Sequence, residues 1–293
     1  VDWSDGQVTN GFIPAGQTSF VIGHAYADDA AGYAVTVTVD DDGQQGSDSF
    51  TVQVNNLAPT LVLGGSGSVA EGSAYALTLN TPNDPGDDTV QQYVIRWGDG
   101  SEQTIAAADL PADRIVTHVY ADGSTSHAIQ VDLVDEDGTW ANAGSHTVQV
   151  YNVAPTIALS GADSVDEGSS YTLQLGAITD PGQDAVTQYQ INWGDGSIET
   201  FTAAEIAAQP ARTHVYQDGG TGGTDRTIFV TLVDEDGTHT NAGNKLVTVN
   251  NVAPVLDVSG ADDIDEGGAY VLAITATDPA GAADPLTYSI DWG

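Results

Sequence analysis

Tyr93-Val94-Ile95-Arg96-Trp97-Gly98-Asp99-Gly100 is a short strand running into a tight turn, and the same pattern recurs at 189–196 as Tyr-Gln-Ile-Asn-Trp-Gly-Asp-Gly. Tyr93, Ile95 and Trp97 alternate with Val94 and Arg96, the period of two that marks a half-buried strand. The leading edge of the turn appears twice more, at Trp3-Ser4-Asp5-Gly6 and at the final Trp292-Gly293. Working outward, Asn56-Leu57-Ala58-Pro59 returns as Asn152-Val153-Ala154-Pro155 and as Asn251-Val252-Ala253-Pro254, at intervals of 96 and 99 residues. A period near 100 is too long for a helical solenoid repeat and fits one small β-sandwich domain.

The other strands of the repeat keep the same phase. Tyr75, Leu77 and Leu79 correspond to Tyr171, Leu173 and Leu175; Ile129, Val131 and Leu133 correspond to Ile228, Val230 and Leu232. A slip of one residue would turn each apolar face to water, so conserved phase means a conserved register. Helix signals are weak and confined to the alanine-rich 104–112 and 202–208. The extra residues of the longer interval fall in the Gly-rich stretch between Tyr216 and Ile228, where a surface loop absorbs them. The expected fold class is all-β: tandem immunoglobulin-like sandwiches arranged end to end. The boundaries fall at 1–55 (the later strands of one domain), 56–151, 152–250, and 251–293 (the early strands of another).

Composition narrows the function. The chain has 5 Lys+Arg against 42 Asp+Glu, a net charge of −37, and neither Cys nor Met. Nucleic acid is an improbable partner, because almost nothing could neutralise its phosphates. Disulfides, thiol catalysis and thiolate metal sites are excluded. No run is apolar enough for direct membrane insertion. Most of the acid is Asp, which favours turns and hard-cation sites over helices.

These residues resemble the PKD family, an immunoglobulin-like extracellular module. The matching motifs are the Trp-Gly-Asp-Gly turn, His118-Val119-Tyr120 with His214-Val215-Tyr216 and His24-Ala25-Tyr26, and a late strand ending in an acidic turn, Val131-Asp132-Leu133-Val134-Asp135. Glu71-Gly72, Glu167-Gly168 and Glu266-Gly267 also look typical of such repeats. The connection between the Trp turn and the His strand is longer than the family's. The Asn-x-Ala-Pro linkers look like the calcium-binding linkers of cadherins. The resemblance implies an extracellular or cell-surface protein.

Alternating loops of an antiparallel sandwich lie at opposite poles, so end-to-end stacking should gather acids at each junction. The first would collect Asp5, Asn55, Asn56, Asp84, Asp88, Asp135 and Asp137. The middle one would collect Glu71, Asp99, Asn152, Asp180, Asp184, Asp234 and Asp236, and the last Glu167, Asp195, Asn251, Asp278 and Asp284. Two carboxylates ~5 Å apart repel by roughly 3 kcal/mol at an effective dielectric of 20. Ca²⁺ takes 6–8 oxygen ligands of the kind these loops offer, whereas Mg²⁺ demands tighter octahedral geometry. Calcium at the junctions is therefore the expected cofactor. The competing readings are solubilising turn residues and an acidic surface adapted to high salt.

Trp97 and Trp193 read as core, His118 and His214 as structural, and Tyr120 and Tyr216 as hydroxyl anchors. Trp140, replaced by His239 in the next repeat, reads as an edge residue or a lateral contact. No nucleophile elbow, zinc spacing or phosphate loop occurs, and paired acids recur in every repeat, so an enzyme is not expected. The stretches 1–55 and 251–293 together amount to one repeat. That suits an excerpt of a longer array, or a filament in which the tail of one chain completes the head of the next. The expected role is a calcium-stiffened segment of a stalk, fibre or surface-layer protein. The alternatives are an adhesin or carbohydrate-binding array, and the accessory region of a secreted hydrolase.

Overall fold

The computed structural model describes residues 1–293, apart from the side chain of Ala31. The chain divides into two compact units. The first comprises Val1–Val69, Ser73–Tyr120 and Thr125–Val150, and the second Ala70–Gly72, Ala121–Ser124 and Tyr151–Gly293. The sequence repeats and the compact units therefore do not coincide. Two short loops of the repeat 56–151 are counted with the second unit.

In the first unit, a long hairpin of β1 (Ala30–Asp41) and β2 (Gln44–Val54) precedes a complete repeat. That repeat contains β3 (Leu63–Gly65), β4 (Ser68–Ala70), β5 (Ala74–Leu79), β6 (Gln92–Arg96), β7 (Glu102–Ala106), β8 (Ile115–Val119), β9 (Ser126–Val134) and β10 (Thr139–Tyr151). One sheet has the order β4-β10-β9-β6-β7 and the other β3-β5-β8. Their inward faces enclose Tyr75, Leu77, Leu79, Tyr93, Ile95, Trp97, Ile129, Val131 and Leu133, all buried as the alternation demands. This is a sandwich core: each sheet hides one face against the other.

The second unit repeats the plan with β11 (Thr156–Ser160), β12 (Ser164–Asp166), β13 (Ser170–Thr179), β14 (Gln188–Asn192), β15 (Ile198–Thr202), β16 (Ala211–Val215), β17 (Thr224–Val233) and β18 (Thr238–Asn250). The sheets are β12-β18-β17-β14-β15 and β11-β13-β16, with β12 parallel to β18 and the other pairings of known direction antiparallel. Its core places Tyr171, Leu173, Tyr189, Ile191, Trp193, Ile228, Val230 and Leu232 at the matching positions. A final hairpin joins β19 (Val255–Gly260) to β20 (Leu272–Thr277). The fold class is all-β, built from repeated sandwiches.

The two alanine-rich stretches differ for a local reason. Thr202 caps helix α1 (Ala203–Ala208) in a capping box with Glu205. The equivalent position in the preceding repeat is Ala106, which has no side-chain oxygen, and only a 3-10 turn forms at Ala107–Asp109. Tyr120 and Tyr216 are anchors: each buried hydroxyl donates to the carbonyl of Trp97 or Trp193 at 3.0 Å. Among the described residues no helix is long and apolar enough to cross a membrane, which leaves membrane-spanning strands unaddressed.

Candidate metal centre

Short acidic loops between strands build the candidate centres, and each loop is shaped by its own aspartates. In the β5–β6 connection, Asp84 Oδ1 accepts the Gly86 N–H at 3.0 Å; in the β13–β14 connection, Asp180 Oδ1 accepts the Gly182 N–H at 3.1 Å. In the β9–β10 hairpin, Asp135 Oδ1 accepts the N–H groups of Asp137 and Gly138, and in the β17–β18 hairpin Asp234 Oδ1 does the same for Asp236 and Gly237, all at 3.0 Å. Such side-chain-to-backbone bonds fix a turn and use one carboxylate oxygen. In Asp84 and Asp180 the second oxygen is left over. Asp84 Oδ2 and Asp180 Oδ2 are buried without any hydrogen-bond partner, as are both oxygens of Asp184 and Oδ2 of Asp278.

In the first unit the acids converge as two overlapping groups, Asp28–Asp88–Asp137 and Asp84–Asp88–Asp135. The second unit holds Glu71–Asp122–Asp184–Asp236, Asp180–Asp184–Asp234, and Glu167–Asp278–Asp284. Within each group the ligand atoms lie within 4.8 Å of one another. Backbone bonds lock the loops in place. Asp87 N–H donates to Ala27 O and Gln183 N–H to Ala121 O, both at 2.8 Å, at equivalent positions in the two units.

Glu71 and Glu167 have a role that spacing alone could not supply. Glu71 Oε1 accepts the N–H of Val153 and Glu167 Oε1 the N–H of Val252, both at 2.7 Å, so each clamps an Asn-Val-Ala-Pro linker. Glu167 Oε2 also accepts the Gly219 N–H at 2.7 Å, whereas Glu71 Oε2 is buried and unpartnered. The glycine after each Glu follows from two constraints. Gly72 has φ +65°, and a Cβ there would lie 2.2 Å from the Pro181 carbonyl oxygen; Gly168 has φ +70° and approaches Pro279 in the same way.

The electrostatics are those of anions packed without counter-charge. Burial, then the charges of Glu71, Asp180, Asp236 and Glu235, push Asp184 up to about 6. Burial, then Asp84, Asp137, Asp28 and Asp135, push Asp88 up to about 6. Asp137 and Asp284 are raised by the same causes. Burial raises Glu71, with Asp180 and Asp236 adding to it against the pull of the nearby Val153 and Gly123 N–H groups. At 4.8 Å an ionised pair repels by about 3.5 kcal/mol at an effective dielectric of 20. Four of the chain's cationic residues are committed elsewhere. Arg96 pairs with Asp132, Lys245 pairs with Asp163, Arg114 bonds the carbonyls of Leu79 and Asn80, and Arg212 lies over the Phe201 ring. An all-carboxylate set of this kind would suit a hard cation better than a soft one.

Not all expected ligands join these groups. Asp5, Asp99 and Asp195, at the tips of the Trp turns, belong to none of them. Each instead meets a histidine of a neighbouring segment: His24, His118 and His214 lie 2.6 Å from Asp5, Asp99 and Asp195. Each ring stacks on the adjacent tryptophan, with centroids 4.6 to 4.8 Å apart. Burial works against ionisation of Asp99, but bonds from Ser101 and His118 outweigh it and bring the group down to about 2. These aspartates therefore hold the Trp turn against the His strand.

The asparagines behave differently from one another. Asn56 and Asn152 stand at the groups, but each points its amide nitrogen at an acid, Asp137 at 2.7 Å and Asp236 at 2.5 Å. To ligate a cation they would have to turn the side-chain oxygen inward. Asn55 lines a recess with Asp28, Asp29 and Asp88, and Asn251 is exposed. Trp140 is not a free surface aromatic: its indole N–H donates to Asp135 Oδ2 at 2.5 Å, and His239 contacts Asp234 at the matching place.

Two acids escaped the sequence reading, Asp28 and Asp122. A signal was present. Both lie two residues after the tyrosine of His24-Ala25-Tyr26 or His118-Val119-Tyr120, and Asp218 occupies the same position after Tyr216. Asp218 contributes to raising Asp284.

No protein-family model matches the chain, and no curated protein matches it. Among solved structures, it is similar to a tetra-tandem repeat in the extending region of a large adhesion protein. That likeness has 16% identity and a TM-score of 0.37, covering 87% of this chain and 71% of the other. It is also similar to three N-terminal domains of the highly immunogenic outer capsid protein of bacteriophage RB49. Here the identity is 12% and the TM-score 0.27, over 75% of this chain and 70% of the other. Likenesses at this level leave the functional reading to the residues of the chain itself.

Proposed function

We propose that this chain is a structural segment of tandem sandwich repeats, stiffened by Ca²⁺ held between consecutive repeats, in a long extracellular stalk, fibre or surface-layer protein. The observation that carries the reading is Glu71. It is wholly buried, it clamps the following linker through one oxygen, its other oxygen has no hydrogen-bond partner, and its carboxylate lies among three more. A buried anion in such company is costly unless a cation joins it. Carboxylates supplied by loops of two successive repeats, with no sulfur among them, suit Ca²⁺ better than a transition metal. Weak sites, with Kd on the order of 10⁻⁴–10⁻³ M, suffice outside a cell.

A bound ion ties the Glu71 and Asp122 loops to the Asp184 and Asp236 loops, converting a repulsive contact into an attractive one. The role needs no catalytic residue, and the PKD-type and cadherin-like features of the motifs are in keeping with it. The continuing partner is a further repeat of the same kind, in the same chain or in a neighbouring one. Small-angle scattering with calcium and with EDTA tests the proposal. Chelation is expected to shorten the maximum dimension and broaden the conformational ensemble, and calcium to reverse both. An unchanged profile would overturn it.

A further inference from the structure

We propose that Asp184 is a shared ligand of two calcium ions, so that the acidic centre of the second unit is a two-ion site, and that Asp88 plays the same part in the first unit. This rests on the calcium reading above and adds to it the number of ions and the residue that couples them. Two groups of carboxylates meet at this centre. Glu71, Asp122, Asp184 and Asp236 form one; Asp180, Asp184 and Asp234 form the other. Asp184 alone belongs to both.

Its two oxygens are buried, and neither has a hydrogen-bond partner, so both are available as ligands. Both groups have their own orphaned oxygen as well: Glu71 Oε2 in the first, from a side chain with 0% exposure, and Asp180 Oδ2 in the second. Charge points the same way. Six ionised carboxylates around one Ca²⁺ leave a large residual negative charge in a partly dry site, which a second ion reduces. Six to eight ligands per ion are met by these groups together with backbone oxygens and water.

The arrangement is duplicated, which argues against an accident of one loop. In the first unit Asp88 is common to Asp28–Asp88–Asp137 and to Asp84–Asp88–Asp135. Each member has its counterpart in the second unit: Asp28 in Asp122, Asp137 in Asp236, Asp84 in Asp180, and Asp135 in Asp234. One residue, Asp88 or Asp184, joins the two groups each time.

Counting bound ions tests this on the full chain, by equilibrium dialysis against Ca²⁺ and by native mass spectrometry. Asp184→Asn is expected to lose two ions relative to the unmutated chain, while Asp180→Asn and Asp122→Asn each lose one. Each change removes a charge from a repulsive cluster with little change of shape, so the calcium-free fold is retained. The ions remaining at Asp88 serve as an internal check on folding. If Asp184→Asn loses only one ion, the shared ligand is refuted while calcium binding stands. An unmutated chain that binds no calcium refutes the underlying reading instead. An unmutated protein loaded with a mixture of Tb³⁺ and Nd³⁺ supplies a check free of substitutions. Terbium emission is expected to be quenched by energy transfer to a neighbouring neodymium, and unquenched emission at full occupancy overturns the two-ion site.

Discussion

Glu71→Gln should change the stability of this protein in opposite directions with and without calcium. In EDTA, Glu71 faces Asp122, Asp184 and Asp236, with ligand atoms within 4.8 Å. Each fully ionised pair costs about 3.5 kcal/mol at an effective dielectric of 20. Incomplete ionisation lowers the sum, because Asp184 is already pushed up to about 6 and sheds part of its charge near neutrality. Glutamine keeps an oxygen for the Val153 N–H, so the substitution gives up only the charge-assisted part of that bond, about 1 kcal/mol. The net effect in EDTA is a gain of about 1–2 kcal/mol, or a rise in Tm on the order of 5 °C for a domain of this size.

In saturating calcium the sign reverses. The substitution removes an anionic ligand, and each tenfold loss of affinity costs about 1.4 kcal/mol. The Tm gain on adding calcium should therefore shrink in the variant, because ligand stabilisation follows affinity. Scanning calorimetry of both proteins in EDTA and in millimolar Ca²⁺ gives the four values needed. A fall of equal size in both media would refute the reasoning, since it would make Glu71 a plain linker clamp with no metal to serve.

The acids also set a pH dependence in calcium-free buffer. Asp88 and Asp184 bind their protons more tightly when folded, at about 6, than at the unfolded value of 3.8. Their contribution is therefore fully stabilising below pH 3.8 and is lost as the pH rises through 6; urea midpoints in EDTA should be higher at pH 5 than at pH 7, and Asp88→Asn with Asp184→Asn should flatten that difference. Asp99 runs the other way: held at about 2, it stabilises above pH 3.8 and loses that contribution as the pH falls toward 2, so an Asp99→Asn variant should show a shallower loss in acid urea titrations. Tyr120→Phe removes the bond to the Trp97 carbonyl and leaves that oxygen without its partner in the core, which should cost about 1–3 kcal/mol by urea denaturation. Gly72→Ala forces a Cβ to within 2.2 Å of the Pro181 oxygen at a positive φ and should cost more than Gly100→Ala, whose added Cβ at φ +91° meets nothing within 4 Å; equal midpoints for the two would refute the close approach.

The core could be read from the sequence because burial acts on every second residue. Tyr93, Ile95 and Trp97 share one face, and no other register of that strand keeps all three from water. The acidic loops could be read because Asp84, Asp88, Asp135 and Asp137 recur at Asp180, Asp184, Asp234 and Asp236. Which turn aspartates have an oxygen to spare could not be read from composition or loop position, since Asp99 and Asp84 look alike there. Both use Oδ1 to cap their own turn, Asp99 through Ser101 and Asp84 through Gly86.

The difference lies in the neighbouring segment. It brings a histidine to the second oxygen of Asp99, and nothing to that of Asp84. The separation of that Asp–His pair is the same, nineteen residues, at Asp5–His24, Asp99–His118 and Asp195–His214. A constant Asp-to-His spacing thus marks an aspartate whose second oxygen already has a partner in a neighbouring segment. A repeat acid without such a histidine, such as Asp84 or Asp180, is the one left with an oxygen to spare. By that rule Asp28, Asp122 and Asp218, each two residues beyond the tyrosine that follows the histidine, belong with the acids that lack such a histidine. Asp28 and Asp122 are in the acidic groups, and Asp218 raises Asp284.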